Sequence, residues 1–181
     1  MGGQLAFLRG SYNVPFGDIF KVRVGAVSGA DSIFANEEHG NRDFVYSQTA
    51  TTGQTRRMIY DKQCDYLQDH KQTLLERRII KFDENNWWQW GRAHHQSTAP
   101  RIYVNSKTRR SKPFFLHDSN DYDGSVLAVF PQCKEPNLPR LRDELNAVNW
   151  EELGFVCDGR FLFSQRSLQN CLLPEHFSML I

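Results

Sequence analysis

The sequence predicts an α+β fold: a mixed, mainly antiparallel sheet with two or three helices. Three observations carry that expectation. Short runs alternate apolar and polar residues with a period of two, two segments space leucines at helical intervals, and Asp158-Gly159 sits between two apolar runs as a hairpin turn.

Taken in order, Ile19 to Val24 (IFKVRV) alternates as a strand, with Phe20, Val22 and Val24 on one face. It runs into Gly25 and Gly29, where the backbone can turn without steric cost. Residues 35–57 are polar and read mostly as loop, with a short strand at Asp43 to Tyr46. Lys62 to Lys81 reads as a helix, because Cys64, Leu67, Leu74, Leu75 and Ile79 recur at helical spacing. Asp83 to Asn86 then breaks the pattern. Arg101 to Lys107 reads as a strand with Ile102 and Val104 facing the core, and Arg101, Tyr103, Asn105 and Lys107 on the opposite, donor-bearing face. Ser125 to Phe130 is an inner strand by its apolar run. Asn137 caps a helix that has Pro139 in its first turn and Leu138, Leu141, Leu145 and Val148 along one side.

At 181 residues the chain can bury a sizeable core, and 13% aromatic residues argue for an ordered chain. Twenty-two Lys and Arg against 21 Asp and Glu leave it almost neutral, so attraction to a polyanion must come from clustered charge. No apolar run approaches the ~20 residues that span a bilayer, and the start lacks a signal-peptide pattern. The four cysteines form no CxxC pair, as expected of thiols in a reducing compartment; a cytoplasmic location follows as the default.

The clustered charge is found between Trp87 and Phe115. Arg101, Lys107, Arg109, Arg110 and Lys112 fall within twelve residues that hold no carboxylate, and Tyr103, Phe114 and Phe115 interleave with them. A groove that neutralises phosphates and meets base edges needs this mixture, although a solvated basic strand has the same composition. Of Trp87, Trp88 and Trp90, at least two are expected in the core, since large aromatics bury most surface per residue. Trp90-Gly91-Arg92 is the segment that could instead approach a ligand.

Other chemistries find less support. Gly25-Ala-Val-Ser-Gly29 lacks the third glycine and the amphipathic helix of a dinucleotide loop, so a plain turn is the better reading. His94 and His95 are neighbours and point apart on either a strand or a helix. Asp118, Asp121 and Asp123 form no glycine-centred calcium loop, and a solvated acidic turn is favoured over a metal site. GxSxG, the P-loop and HExxH are absent.

A family resemblance rests on the order of several segments: GDIFKVRVGAVSGADSIF, YLQDHKQTLLERRI, WWQWGR, APRIYVNSKTRRSKPFF, YDGSVLAVFP, LRDELNAVNW and GRFLFSQRSLQNCLLP. From about Pro15 to Pro174 the chain resembles the C-terminal target-recognition domain of TaqI-like and Eco57I-type adenine-specific DNA methyltransferases of restriction-modification systems. The resemblance implies a target-recognition-domain-like architecture over residues 15–181, with 1–14 a remnant or extension. Members of that family carry an Asn/Asp-Pro-Pro-Tyr/Phe segment and an S-adenosylmethionine loop in a separate catalytic domain, whereas no two prolines are adjacent here. The expected chain is therefore a detached recognition part with no cofactor of its own, and S-adenosylmethionine belongs to the missing domain.

The resemblance implies double-stranded DNA as the partner, with a methyltransferase catalytic domain or subunit as a second. The residues expected to contact DNA are Lys107, Arg109 and Arg110 at the exposed end of the basic strand, with Arg101 and Asn105 on the same face. Arg92, Arg56 and Arg57 are the secondary phosphate candidates. Arginine suits guanine and asparagine suits adenine by bidentate geometry. Two alternatives stay open: a metal-dependent nuclease built on Asp118, Asp121, Asp123 and the histidines, and a partner or decoy subunit that does not touch DNA.

Overall fold

The computed structural model describes residues 11–180. Among them the strands are β1 (Tyr12–Pro15), β2 (Phe20–Val24), β3 (Arg42–Val45), β4 (Arg56–Met58), β5 (Ile102–Asn105), β6 (Lys107–Thr108), β7 (Phe114–Phe115), β8 (Asp121–Tyr122), β9 (Val126–Pro131), β10 (Val156–Cys157), β11 (Arg160–Leu162) and β12 (Leu172–Pro174). The fold is α+β and mainly antiparallel; β3 with β8 is the one parallel pair of named strands.

The spine is a four-stranded sheet in the order β2-β9-β5-β7, antiparallel throughout. Phe20, Val22, Ile102, Val104, Leu127 and Val129 line one face and join Leu141, Leu145, Trp150, Phe155 and Phe163 in the main core. The other face is also buried: Tyr103, Val126, Ala128 and Phe130 pack with Val45 and Tyr122, which come from β3 and β8. A third cluster gathers Phe34, Phe44, Met58, Tyr60, Leu67, Leu74, Trp87 and Trp90 around the β4-β3-β8 sheet. Trp87 and Trp90 are therefore core residues, and Trp90 donates its indole N–H to the Ile59 carbonyl at 2.8 Å.

The helix Leu138–Ala147 forms as the leucine spacing predicts, with the Asn137 side chain accepting from the Arg140 N–H at 3.1 Å. The hairpin forms too. Asp158 and Gly159 take φ of 52° and 71° and join β10 to β11. The residues of β1 pair with β12, so the domain takes in chain from Tyr12; residues 1–10 of the expected N-terminal extension lie outside the described residues.

Two expectations are corrected. The long helix over 62–81 is instead two single turns, Asp65–Gln68 and Lys71–Leu75. Arg77 ends the second: its guanidinium is buried and takes the carbonyls of Leu74 (2.8 Å), Ser28 (2.5 Å) and Trp87 (2.5 Å). With three carbonyls satisfied by one fork, the chain leaves the helical path at Leu75. Among the described residues, every helix besides the ten-residue Leu138–Ala147 is of four or five residues. The second correction concerns β5. All four of its residues are buried, so it has no exposed donor face. A second layer covers the side that period two assigns to solvent.

Candidate nucleic-acid interface

β2 and β5 run parallel to each other on either side of β9, so their C-terminal ends and the start of β9 share one end of the sheet. The end of β3 reaches the same place, since Asp123 donates its backbone N–H to the Val45 carbonyl at 3.0 Å. Loops from four parts of the sequence meet there.

Ser125 is the centre of the junction. Its hydroxyl accepts the Ser47 N–H at 3.0 Å and donates to Asp123 Oδ1 at 2.5 Å, and its carbonyl accepts the Ser106 N–H at 2.9 Å. Asn105 donates its amide to the Ser47 carbonyl at 2.7 Å. Arg110 reaches the Thr51 hydroxyl at 3.3 Å, and His117 lies 3.2 Å from the Gly53 carbonyl. The segment Tyr46 to Thr55 (YSQTATTGQT) is thus fastened along the basic loop 106–112. It presents hydroxyls and amides that can donate or accept toward phosphates and base edges.

Cations line this end. Lys107, Arg109, Arg110 and Lys112 are exposed, and among the described residues none of them makes an ion pair. Lys107 sits on β6, which β11 holds through the Leu162 pairing. On the far side of Ser125, Arg92 is exposed and donates twice to the Gly25 carbonyl, at 3.2 and 3.0 Å. Between them Arg56 stacks over Tyr46 at 4.9 Å and bridges Asp123 (2.9 Å) and Asp31 (3.2 Å). Burial pushes the Asp123 carboxyl above its ordinary value, against the opposing pull of the Ser125 bonds and the Arg56 charge.

The residues expected to contact DNA therefore fall into three groups. Lys107, Arg109 and Arg110 share the open loop, with Arg92 farther along the same end. Arg56 is on the same surface but is neutralised by two carboxylates; Arg57, next to it on β4, pairs with Asp43 across β3 and β4 at 2.9 Å. Arg101 and Asn105 are interior, at 4% and 5% exposure. The Arg101 guanidinium packs over Phe130 at 4.8 Å and serves the carbonyls of Ala99 (3.2 Å), Asn120 (3.1 Å) and Ser97. It stands at the opposite end of β5 from Lys107 and so cannot join that surface. The contribution of Ser47, Gln48, Thr51, Ser106 and Ser125 was not anticipated from the sequence. Its signal is the run of hydroxyl and amide residues from Ser47 to Thr55.

No family model matches this sequence, and no curated protein matches it. Among solved structures, the type IIL restriction-modification enzyme MmeI in complex with DNA is similar in fold. The TM-score is 0.59 at 11% identity, over 90% of this chain and 26% of that one. The likeness shows a shared fold, and this chain spans about a quarter of the neighbour's length.

Around the start of β8, Arg42, His94, Gln96, Ser97, Thr98, Asn120 and Asp121 line an open concavity of about 320 Å³. His94 Nε2 lies 3.0 Å from Asp121 Oδ1, and Arg42 reaches the same oxygen at 3.3 Å. Burial works to raise the Asp121 carboxyl, but the His94 contact and the Arg42 charge outweigh it and hold it below its ordinary value. The three aspartates of the nuclease alternative do not converge. Asp121 is engaged with His94 and Arg42, Asp123 with Arg56, and Asp118 is exposed. Among the described residues no three His, Cys, Asp or Glu side chains are grouped to hold a metal ion, and no helix is long and apolar enough to cross a membrane.

Proposed function

We propose that this chain is a sequence-specific double-stranded-DNA-binding module, the target-recognition part of an adenine-specific DNA methyltransferase of a restriction-modification system. In this reading the catalytic, S-adenosylmethionine-binding part lies in a partner domain or subunit. The observation that carries it is the loop cluster in which Lys107, Arg109 and Arg110, none of them in an ion pair among the described residues, stand beside the hydroxyl-rich segment 47–55. The fold shared with a segment of a restriction-modification enzyme solved on DNA supports the same reading.

Roles follow from the geometry. Lys107, Arg109 and Arg110 neutralise phosphates, which supplies affinity and registers the duplex. Ser47, Gln48 and Thr51 sit on a segment tied to three loops, rigid enough to place short donors and acceptors against base edges. Arg92 extends the contact past Ser125. Arg101 and Asn105 contribute by holding the scaffold.

The test is the affinity of the full chain for a mixed-sequence duplex of about 30 base pairs over a range of salt. Log affinity should fall steeply and linearly with log salt, and Lys107→Ala should reduce the slope by roughly 1. Binding with no salt dependence would remove the reading.

A further inference from the structure

Ile79 and Ile80 stand exposed at 39% and 44%, on the segment Arg78-Ile79-Ile80-Lys81. Helical spacing assigns Ile79 to a core face, but the helix stops at Leu75 and the two side chains emerge on the surface. Their exposure is held in place. Arg77, immediately before them, is anchored by its three carbonyls and stacks over Phe82 at 3.8 Å and Phe34 at 5.2 Å. Burial lowers its pKa to about 10, which leaves it charged at neutral pH. Beneath Ile79 lie two glycines: a Cβ at Gly29 or Gly91 would come within 2.5 or 2.7 Å of its side chain. The segment is therefore fixed against the turn that continues into Arg92.

This places the isoleucine pair on the rim of the surface described above. Gly91 is next to Arg92, whose guanidinium would lie 3.6 Å from a Cβ at Gly124, and Gly124 joins Asp123 to Ser125. Arg78 and Lys81 are exposed on either side of the pair. An apolar pair bracketed by cations fits a polyanion whose interior is apolar, with phosphates outside and sugars and base edges within. Two partly exposed isoleucines offer far less than the ~800 Å² per partner of a standard protein interface.

We infer that Ile79 and Ile80 form an apolar contact with duplex DNA, set against sugars and base edges in a groove while Arg78, Lys81 and Arg92 take the flanking phosphates. The inference rests on the DNA-binding reading and adds to it a contact that does not depend on charge.

Salt separates the two. On the same duplex, the Ile79→Ser, Ile80→Ser double variant should bind about ten- to thirtyfold more weakly at every salt concentration, the slope unchanged, because apolar burial releases no counterions. Should that variant lose its thermal transition, Ile80→Ala leaves Ile79 on its glycines and should still cost about threefold. Wild-type affinity in a folded variant would overturn the contact and assign the patch to a protein partner. A slope that falls together with affinity would also overturn it, since the isoleucines would then only be positioning nearby cations. Absence of salt-dependent binding by the wild-type chain is the separate result that removes the DNA reading itself.

Discussion

Asn146 and Gln169 perform the same task on opposite edges of the central sheet. Asn146, on the helix Leu138–Ala147, accepts the Phe114 N–H at 2.9 Å and donates to the Phe114 carbonyl at 3.0 Å, on the edge strand β7. Gln169 accepts the Val22 N–H at 2.7 Å and donates to the Phe20 carbonyl at 3.3 Å on the other edge, β2. Each amide takes one N–H and one carbonyl as a neighbouring strand would, which satisfies the backbone and blocks pairing with another chain. Asn146→Leu should cost about 1–3 kcal/mol, the penalty of stranded buried polar groups, and should promote association. Urea denaturation with light scattering reads both; an unchanged midpoint would show that water replaces the amide.

Arg101 supports a second prediction. Its guanidinium is enclosed by Phe130 and three carbonyls, so Arg101→Met leaves acceptors without donors inside the fold. A loss of about 2–4 kcal/mol in stability is expected. The log-log salt slope for DNA should stay at the wild-type value, because this charge never faces solvent. A slope reduced by about 1 would return Arg101 to the interface.

The contrast between Arg101 and Lys107 shows how far sequence reasoning reached. Alternation correctly places Ile102 and Val104 toward the main core, and the Asp158-Gly159 hairpin and the Asn137 cap form as local chemistry dictates. These elements depend on neighbours in sequence. The opposite face of β5 depends on Tyr122 and Val45, which arrive from distant strands and turn a half-buried strand into a fully buried one. The same limit governs 62–81, where Arg77 reaches Ser28 and Trp87. It also governs Arg56 and Arg57, whose carboxylate partners cannot be paired with them by spacing alone. A loop cluster assembled from four segments, each polar for its own reasons, has no local signature beyond composition.

Arg56 is held between Asp31 and Asp123, of which Asp31 is the exposed member, its side chain 52% accessible. Removing that charge leaves Arg56 anchored on Asp123 but raises the positive potential of the surface. Asp31→Asn should therefore tighten DNA binding a few-fold at low salt, and the gain should vanish as salt rises. Stability should change by less than about 0.5 kcal/mol, as for other exposed pairs. Weaker binding in this variant would mean that Asp31 itself contacts the nucleic acid.

The concavity around Asp121 gives a pH prediction. Asp121 is held below its ordinary carboxylate value by His94 and Arg42, acting against its burial. A carboxylate depressed in the folded state adds stability that is present above its unfolded value and disappears as pH falls through the folded one. Asp121→Asn should therefore lower stability at neutral pH, by about 1–3 kcal/mol from the lost charge-assisted contacts, and the deficit should shrink as the solution becomes acidic. Denaturation midpoints at several pH values between neutral and about 3 test the sign. A deficit that stays constant over that range would mean that the Asp121 charge contributes nothing and only its shape matters.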